Sequence, residues 1–137
     1  MLTPMQMLIA ATVAVHAVAA VSWLAASGMV ARSGGLGGEK AFPRQMIMAT
    51  IAILTGGFLW SQLHAGGVGV YEIVLGAGAI LAIVAAGIQG VVIGGARRKL
   101  KAGGDVAAVR KTMAVGNRIA GGLLGLCFVC MVVSRFL

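Results

Sequence analysis

The stretch VYEIVLGAGAILAIVAAGIQGVVIGG, residues 70–95, carries a single charged residue, Glu72. It is longer than the roughly 20 apolar residues that an α-helix needs to cross a bilayer. Because lipid offers the backbone no hydrogen-bond partners, such a segment must be helical. Similar apolar runs cover about residues 5–31, 45–65 and 113–136. The sequence therefore predicts an all-α integral membrane protein, a four-helix antiparallel bundle that forms a single domain over residues 1–137.

The composition supports this class of protein. Of the 137 residues, 60 % are hydrophobic and 10 % are charged, whereas a soluble domain carries about 25 % charged residues. The mean hydropathy is +1.02. With only 3 acidic residues, general acid–base chemistry has few candidates, and no hydrolase, transferase or nucleotide-binding motif is present. The sequence leaves catalysis open and favours a protein with no catalytic activity of its own.

The net charge of +8 is concentrated in two of the three predicted connections, residues 32–45 and 96–112. The link HAGGVGVYE, residues 64–72, has no Lys or Arg. In a chain with four spans the two basic connections lie on one side, which the positive-inside rule places in the cytoplasm. We therefore expect a bacterial inner-membrane protein with both termini in the periplasm. The basic charge is expected to set topology and contact anionic lipid headgroups rather than nucleic acid.

Small residues recur at every fourth position of the third run. Such a stripe lets a second helix approach closely, which matters because lipid supplies no hydrophobic drive between helices. Gly121 and Gly125 share this spacing in the fourth run, so the third and fourth helices are expected to touch. The same faces could bind another membrane subunit or a second copy of the chain. The stripe consists of Gly78, Ala82, Ala86, Gly90 and Gly94.

His16 lies near the middle of the first run. Thr12, Trp23 and Ser27 share its helical face, and this face should point into the bundle because an ionisable group is costly in lipid. One interpretation is a neutral imidazole bonded to a hydroxyl or carbonyl of a neighbouring helix. A second is a ligand to heme or a metal, and a third is proton or quinone chemistry. Gln89, Asn117 and Arg118 are further polar residues within the runs.

A second group of candidate ligands lies near the predicted periplasmic ends of the second and fourth runs. Cys127 and Cys130 are one turn apart on the fourth run, with Met131 beside them, and soft sulfur ligands suit Cu(I). His64 closes the second run on the same side of the membrane. Its depth differs from that of His16 by about 15 Å, which argues against both histidines binding one iron. The alternative is that the sulfur residues are ordinary apolar filling. The candidate metal ligands are His64, Cys127, Cys130 and Met131.

The spacing of His16 and Trp23 resembles the first helix of the CopD-like copper-resistance membrane domains and of the HemJ-type protoporphyrinogen oxidases. The closing stretch GNRIAGGLLGLCFVCMVVSRFL, residues 116–137, is similar to the last helix of such proteins, with Arg118, Met131 and Arg135. This resemblance implies heme b or copper in the bundle and His16 as a cofactor ligand. The exit LAASGMVARSGG lacks the Tyr-Leu-Pro-Arg-like pattern of the oxidases, and no run contains a lysine, which argues against oxidase activity.

Two functions follow as hypotheses. The first is a small membrane protein that binds heme b or copper through His16 in an electron-transfer or metal-handling role. The second is a non-catalytic accessory or assembly subunit of a larger membrane complex, which the scarcity of polar residues favours.

Overall fold

The computed structural model describes residues 1–63, 69–134 and 136. The helices are α1 (Pro4–Arg32), α2 (Gly38–Leu63), α3 (Val70–Ile88), α4 (Gly94–Lys101) and α5 (Val106–Ser134), and a π-helical turn, Gln89–Ile93, joins α3 to α4 without a break. Four helical segments are long and apolar enough to cross a membrane, because α3, the π turn and α4 act as one span, Glu72–Lys101. The described residues contain no strand. The prediction of an all-α four-helix bundle is confirmed, and the protein is a multi-pass membrane protein.

The helices continue beyond the apolar runs at one end of the bundle. The connections there are only residues 33–37 and 102–105, and we call this the basic end; the opposite end, where α1 begins and α5 finishes, is the terminal end. The expected starts near residues 45 and 113 are therefore seven residues late, because α2 begins at Gly38 and α5 at Val106. The third span ends at Lys101 instead of near residue 95. Apolar length reports where a helix meets lipid, and it cannot report how far the helix extends into water.

Contacts between helices explain why the charged extensions stay helical. Pro43 lies inside α2 and has no N–H to donate to the carbonyl of Glu39, four residues earlier. Arg97 supplies the missing donor, since its Nε lies 3.1 Å from that oxygen, and its guanidinium lies 5.8 Å from the centre of the Phe42 ring. Arg110 of α5 forms an ion pair with the Glu39 carboxylate. The basic residues thus hold helices together, in addition to providing the positive charge that is expected to set the topology.

The bundle is packed mainly through alanine and glycine. α1 packs along both α2 and α5, and α3 packs along α5. Because most of the core side chains are small, the backbones approach closely and gain van der Waals contact in place of hydrophobic drive. The central cluster comprises Ala19, Trp23, Ala49, Ala52, Ala85, Ala120 and Leu124.

Burial is uneven along the bundle. No residue of α1 before Ala19 is buried, and no described residue of α2 after Ala52 is buried. A second buried cluster, with Ile93 and Met113 at its centre, lies toward the basic end. The half of the bundle near the basic end is therefore densely packed, while the helical faces that point inward in the other half are mostly half-buried.

The π turn changes which residues of the small-residue stripe meet α5. A Cβ added to Gly78 would lie 3.1 Å from the Cβ of Cys130, so α3 and α5 are in close contact there. A Cβ on Gly90 would meet nothing within 4 Å, and one on Gly94 would contact the Phe42 ring of α2 at 3.3 Å. The π turn inserts an extra residue, which rotates the positions after it relative to those before. The expected contact of the whole stripe with α5 is therefore wrong for Gly90 and Gly94.

The matching expectation for α5 is also wrong. Added Cβ atoms on Gly121 and Gly125 would meet nothing within 4 Å. The close approach occurs at Gly116 instead, where a Cβ would lie 2.6 Å from Cδ1 of Ile93 in the π turn.

Candidate functional site

His16 is half-buried and bonded to α2. Its Nδ1 lies 2.9 Å from the carbonyl oxygen of Ala52 and 3.0 Å from the hydroxyl of Thr55. The ring lies against Gly56, where an added Cβ would come within 3.2 Å of the imidazole Cε1. The absence of a side chain at Gly56 thus makes room for the imidazole, and the predicted bond to a hydroxyl or carbonyl of a neighbouring helix is present.

These bonds determine which ring nitrogen carries the proton. A carbonyl oxygen can only accept, so Nδ1 must donate to Ala52. The Thr55 hydroxyl donates to the Ile51 carbonyl at 2.6 Å, which leaves its lone pairs to accept from His16. In the neutral ring Nε2 is then the unprotonated nitrogen with an available lone pair.

The Nε2 atom has no hydrogen-bond partner among the described residues. It is also not sealed inside the protein, because Gln45 Oε1 is the one buried side-chain polar atom without a partner in the described part of the chain. Toward the terminal end, the α1 face that carries His16 continues through Thr12 and Ile9, which are both half-buried. The free lone pair of His16 therefore lies at the border between the dense and the loosely packed halves.

A second polar feature lies in the dense half. Gln89 accepts a hydrogen bond from Trp23 Nε1 at 2.5 Å and donates to Ser27 Oγ at 2.7 Å and to Asn117 Oδ1 at 3.1 Å. Gln45 also donates to Asn117 Oδ1, at 2.9 Å. Trp23 is 1 % exposed, and the other four residues are fully buried. We call this group the buried polar network; it links all four spans.

The network is almost self-contained. Asn117 Nδ2 donates to the Met113 carbonyl at 2.9 Å, and Ser27 Oγ donates to the Trp23 carbonyl at 2.9 Å. Because unpaired polar groups are expensive away from water, such mutual satisfaction stabilises one arrangement of the helices. Gln89 can take part because it opens the π turn, where the helix is wound one residue wider.

The sequence indicated part of this network. Trp23 and Ser27 share one face of the first run, and Gln89 and Asn117 stand out as amides within apolar runs. Their spacing in the sequence does not show that they contact one another, and Gln45 does not stand out because the predicted second run begins at this residue. An uncharged amide next to a basic residue, as in Arg44–Gln45, was the available signal.

The sulfur residues are placed at a helix contact. The Cys127 backbone oxygen and the Cys130 Cβ are the atoms that a Cβ on Gly78 would meet first, at 3.3 Å and 3.1 Å. Both thiols are free, and Met131 is half-buried beside them. Cys127 lies ten residues beyond Asn117 along α5, about 15 Å of helix rise, and therefore toward the terminal end from the middle of the bundle.

The predicted copper site stays a prediction. His64 lies outside the described residues. In the part of the chain that the structure describes, no group of three or more His, Cys, Asp or Glu side chains could hold a metal ion.

Comparisons of the chain with known protein families, with curated proteins and with solved structures give no match.

Proposed function

We propose that this protein is a small bacterial inner-membrane protein that binds heme b, with His16 as the residue that would hold the iron and both termini in the periplasm. The observation that carries the proposal is the pair of bonds that hold the His16 ring. Nδ1–H donates to the Ala52 carbonyl, and Nε2 has no hydrogen-bond partner among the described residues. Bound heme would supply one-electron transfer, and the chain would supply its position and surroundings.

The hydrogen bond from Nδ1 supports ligation for a chemical reason. Histidines that bind metals almost always donate their other ring N–H to a carbonyl, a carboxylate or water, which fixes the tautomer and makes the ligating nitrogen more basic. Imidazole is also a common axial ligand of heme iron. The Thr55 hydroxyl, 3.0 Å from Nδ1, adds a second acceptor that holds the ring plane.

The helices around His16 are loosely packed on the side that faces the terminal end. The half-buried faces toward the terminal end are the less densely packed region of the bundle, and imidazole nitrogen is a ligand type that heme iron accepts. His16 is the single histidine among residues 1–63, 69–134 and 136. The described part of the chain would therefore supply one histidine ligand to the heme.

A second candidate is a non-catalytic accessory or assembly subunit of a larger membrane complex. The buried polar network favours it, because its polar side chains hydrogen-bond to one another and so hold the four spans together. In that case His16 Nε2 would accept a hydrogen bond from the partner protein within the membrane.

Purification of the chain in mild detergent, with heme measured per protein chain from the absorption spectrum, separates the two candidates. The variants are His16→Ala and His16→Gln. The matched control is Thr12→Ala, one turn away on the same face, whose hydroxyl bonds only to its own helix at Leu8. Heme in the wild type and in the Thr12 control, with loss in both His16 variants and unchanged helical content, would support ligation.

The other results are equally informative. A colourless wild type that co-purifies with a larger membrane protein, and loses it in His16→Ala, would favour the accessory subunit. Heme retained with an unchanged spectrum in His16→Ala would refute the ligand assignment. A colourless protein without partners would refute both candidates.

A further inference from the structure

A groove of about 260 Å³ lies between α1 and α5 toward the basic end. Its floor is formed by Gly28 on α1 and Gly121 on α5, with Leu24 beside them, and Arg32 and Arg118 border it. Since the floor carries no side chains at the two glycines, the groove follows the helix axes into the apolar part of the bundle.

The two guanidinium groups at the groove are unpaired within the part of the chain that the structure describes. Neither Arg32 nor Arg118 makes a hydrogen bond or ion pair with another described residue. The Arg32 side chain folds back along α1, because its Nη2 lies 3.7 Å from where a Cβ of Gly28 would be. By contrast, Arg110 is paired with Glu39 and Arg97 with a backbone carbonyl.

Both arginines lie where the charged part of each span ends. No Asp, Glu, Lys or Arg precedes Arg32 in α1, and none follows Arg118 within α5. Asn117, next to Arg118, is bonded to Gln45, the residue after Arg44 of α2. Arg118 and Arg44 therefore lie at a similar depth, and Arg32 borders the same groove as Arg118, near the boundary between apolar and charged helix, where we expect the lipid headgroups.

We infer that this groove binds one anionic phospholipid, with the headgroup phosphate between Arg32 and Arg118 and an acyl chain along Gly28 and Gly121. Arginine binds phosphate oxygens through several N–H donors. Basic pockets between membrane helices recognise anionic headgroups in this way. The apolar floor selects a lipid over free phosphate, because inorganic phosphate has nothing to bury there.

The inference is independent of heme binding, because His16 lies outside the groove and nearer the middle of α1. Arg32 and Arg118 would then bind a lipid in addition to contributing to the positive charge that sets the topology. A lipid in this position would join α1 to α5, the two spans farthest apart in sequence.

Native mass spectrometry of the purified chain, after reconstitution in vesicles of equimolar phosphatidylglycerol and phosphatidylcholine, tests the site. The double variant Arg32→Ala, Arg118→Ala removes both cations. The control Arg44→Ala, Lys111→Ala removes the same charge from exposed positions outside the groove. Loss of one groove arginine should lower the affinity for phosphatidylglycerol about fivefold, and loss of both should lower it about thirtyfold.

A second pair of variants tests the floor. Gly121→Leu fills the groove, and since a Cβ there meets nothing within 4 Å, the fold should persist. Gly122→Leu adds the same side chain at a neighbouring position that is equally open and outside the groove. Thermal unfolding of both variants reports whether the bundle is intact.

The proposal expects selective retention of phosphatidylglycerol by the wild type, the charge control and Gly122→Leu, with loss in the groove double variant and in Gly121→Leu. Equal loss in the charge control would show a general surface effect and overturn the site. Equal retention in the groove double variant or in folded Gly121→Leu would also overturn it. Displacement of the lipid by millimolar inorganic phosphate would reassign the site to a free anion.

Discussion

Replacement of Gln89 by leucine should destabilise the bundle through the buried polar network. The substitution removes three hydrogen bonds, to Trp23, Ser27 and Asn117. Two of the former partners keep other bonds, since Ser27 donates to a backbone carbonyl and Asn117 Oδ1 still accepts from Gln45. The Trp23 indole N–H, in a residue 1 % exposed, is left without an acceptor.

The size of the effect follows from these bonds. Hydrogen bonds between membrane helices contribute about 0.6 kcal/mol on average, so three of them give about 2 kcal/mol. The orphaned indole N–H sets a similar scale, about 1–3 kcal/mol for an unsatisfied buried donor. We therefore expect the free energy of unfolding to fall by about 2 kcal/mol, with about half of this loss arising at Trp23.

Reversible unfolding in mixed detergent micelles, followed by circular dichroism, measures this change. Thr50→Val is the control, because its exposed hydroxyl bonds only within its own helix at Met46, and it should change stability by less than about 0.5 kcal/mol. A double-mutant cycle with Trp23→Phe isolates the orphaned N–H, since the Gln89 substitution should cost about 1 kcal/mol less when the indole is already absent. A Gln89→Leu protein as stable as the wild type, or a cycle without coupling, would refute the reasoning.

Three further predictions concern packing, the proline and topology. Gly116→Leu should cost about 1–3 kcal/mol of stability because its side chain would overlap the π turn. Gly90→Leu should leave the thermal midpoint unchanged, since an added Cβ at Gly90 meets nothing within 4 Å. Equal midpoints for the two variants would contradict the rotation of the small-residue stripe by the π turn. Arg97→Ala should destabilise the wild type more than it destabilises the Pro43→Ala variant, because the alanine N–H at position 43 can replace Arg97 as donor to the Glu39 carbonyl. Equal costs of the Arg97 substitution in the two backgrounds, measured by chemical unfolding, would contradict this pairing. Asp105→Cys, in a chain whose native cysteines are replaced, should resist a membrane-impermeant maleimide in intact cells, and rapid labelling there would reverse the proposed topology.

Part of the candidate site could be read before the structure was known. An imidazole in an apolar run needs a polar partner, so the bond of His16 to another helix was predictable in kind. Its acceptors were not, because Ala52 offers only a backbone carbonyl, and any residue of the chain has one. The contact of Cys127 and Cys130 with Gly78 likewise depends on which faces of α3 and α5 meet.

The sequence by itself determined the number of spans, their helical state and the accumulation of charge at one end. These properties follow from the lack of hydrogen-bond partners in lipid and from the length of helix needed to cross it, which are local to each run. Only the tertiary structure decided the position of the π turn, the direction in which Gln89 and Gly90 face, and the pairing of Pro43 with Arg97. Each of these depends on contacts between segments far apart in the chain, where the rotation of one helix by one residue exchanges a lipid-facing side chain for a buried one.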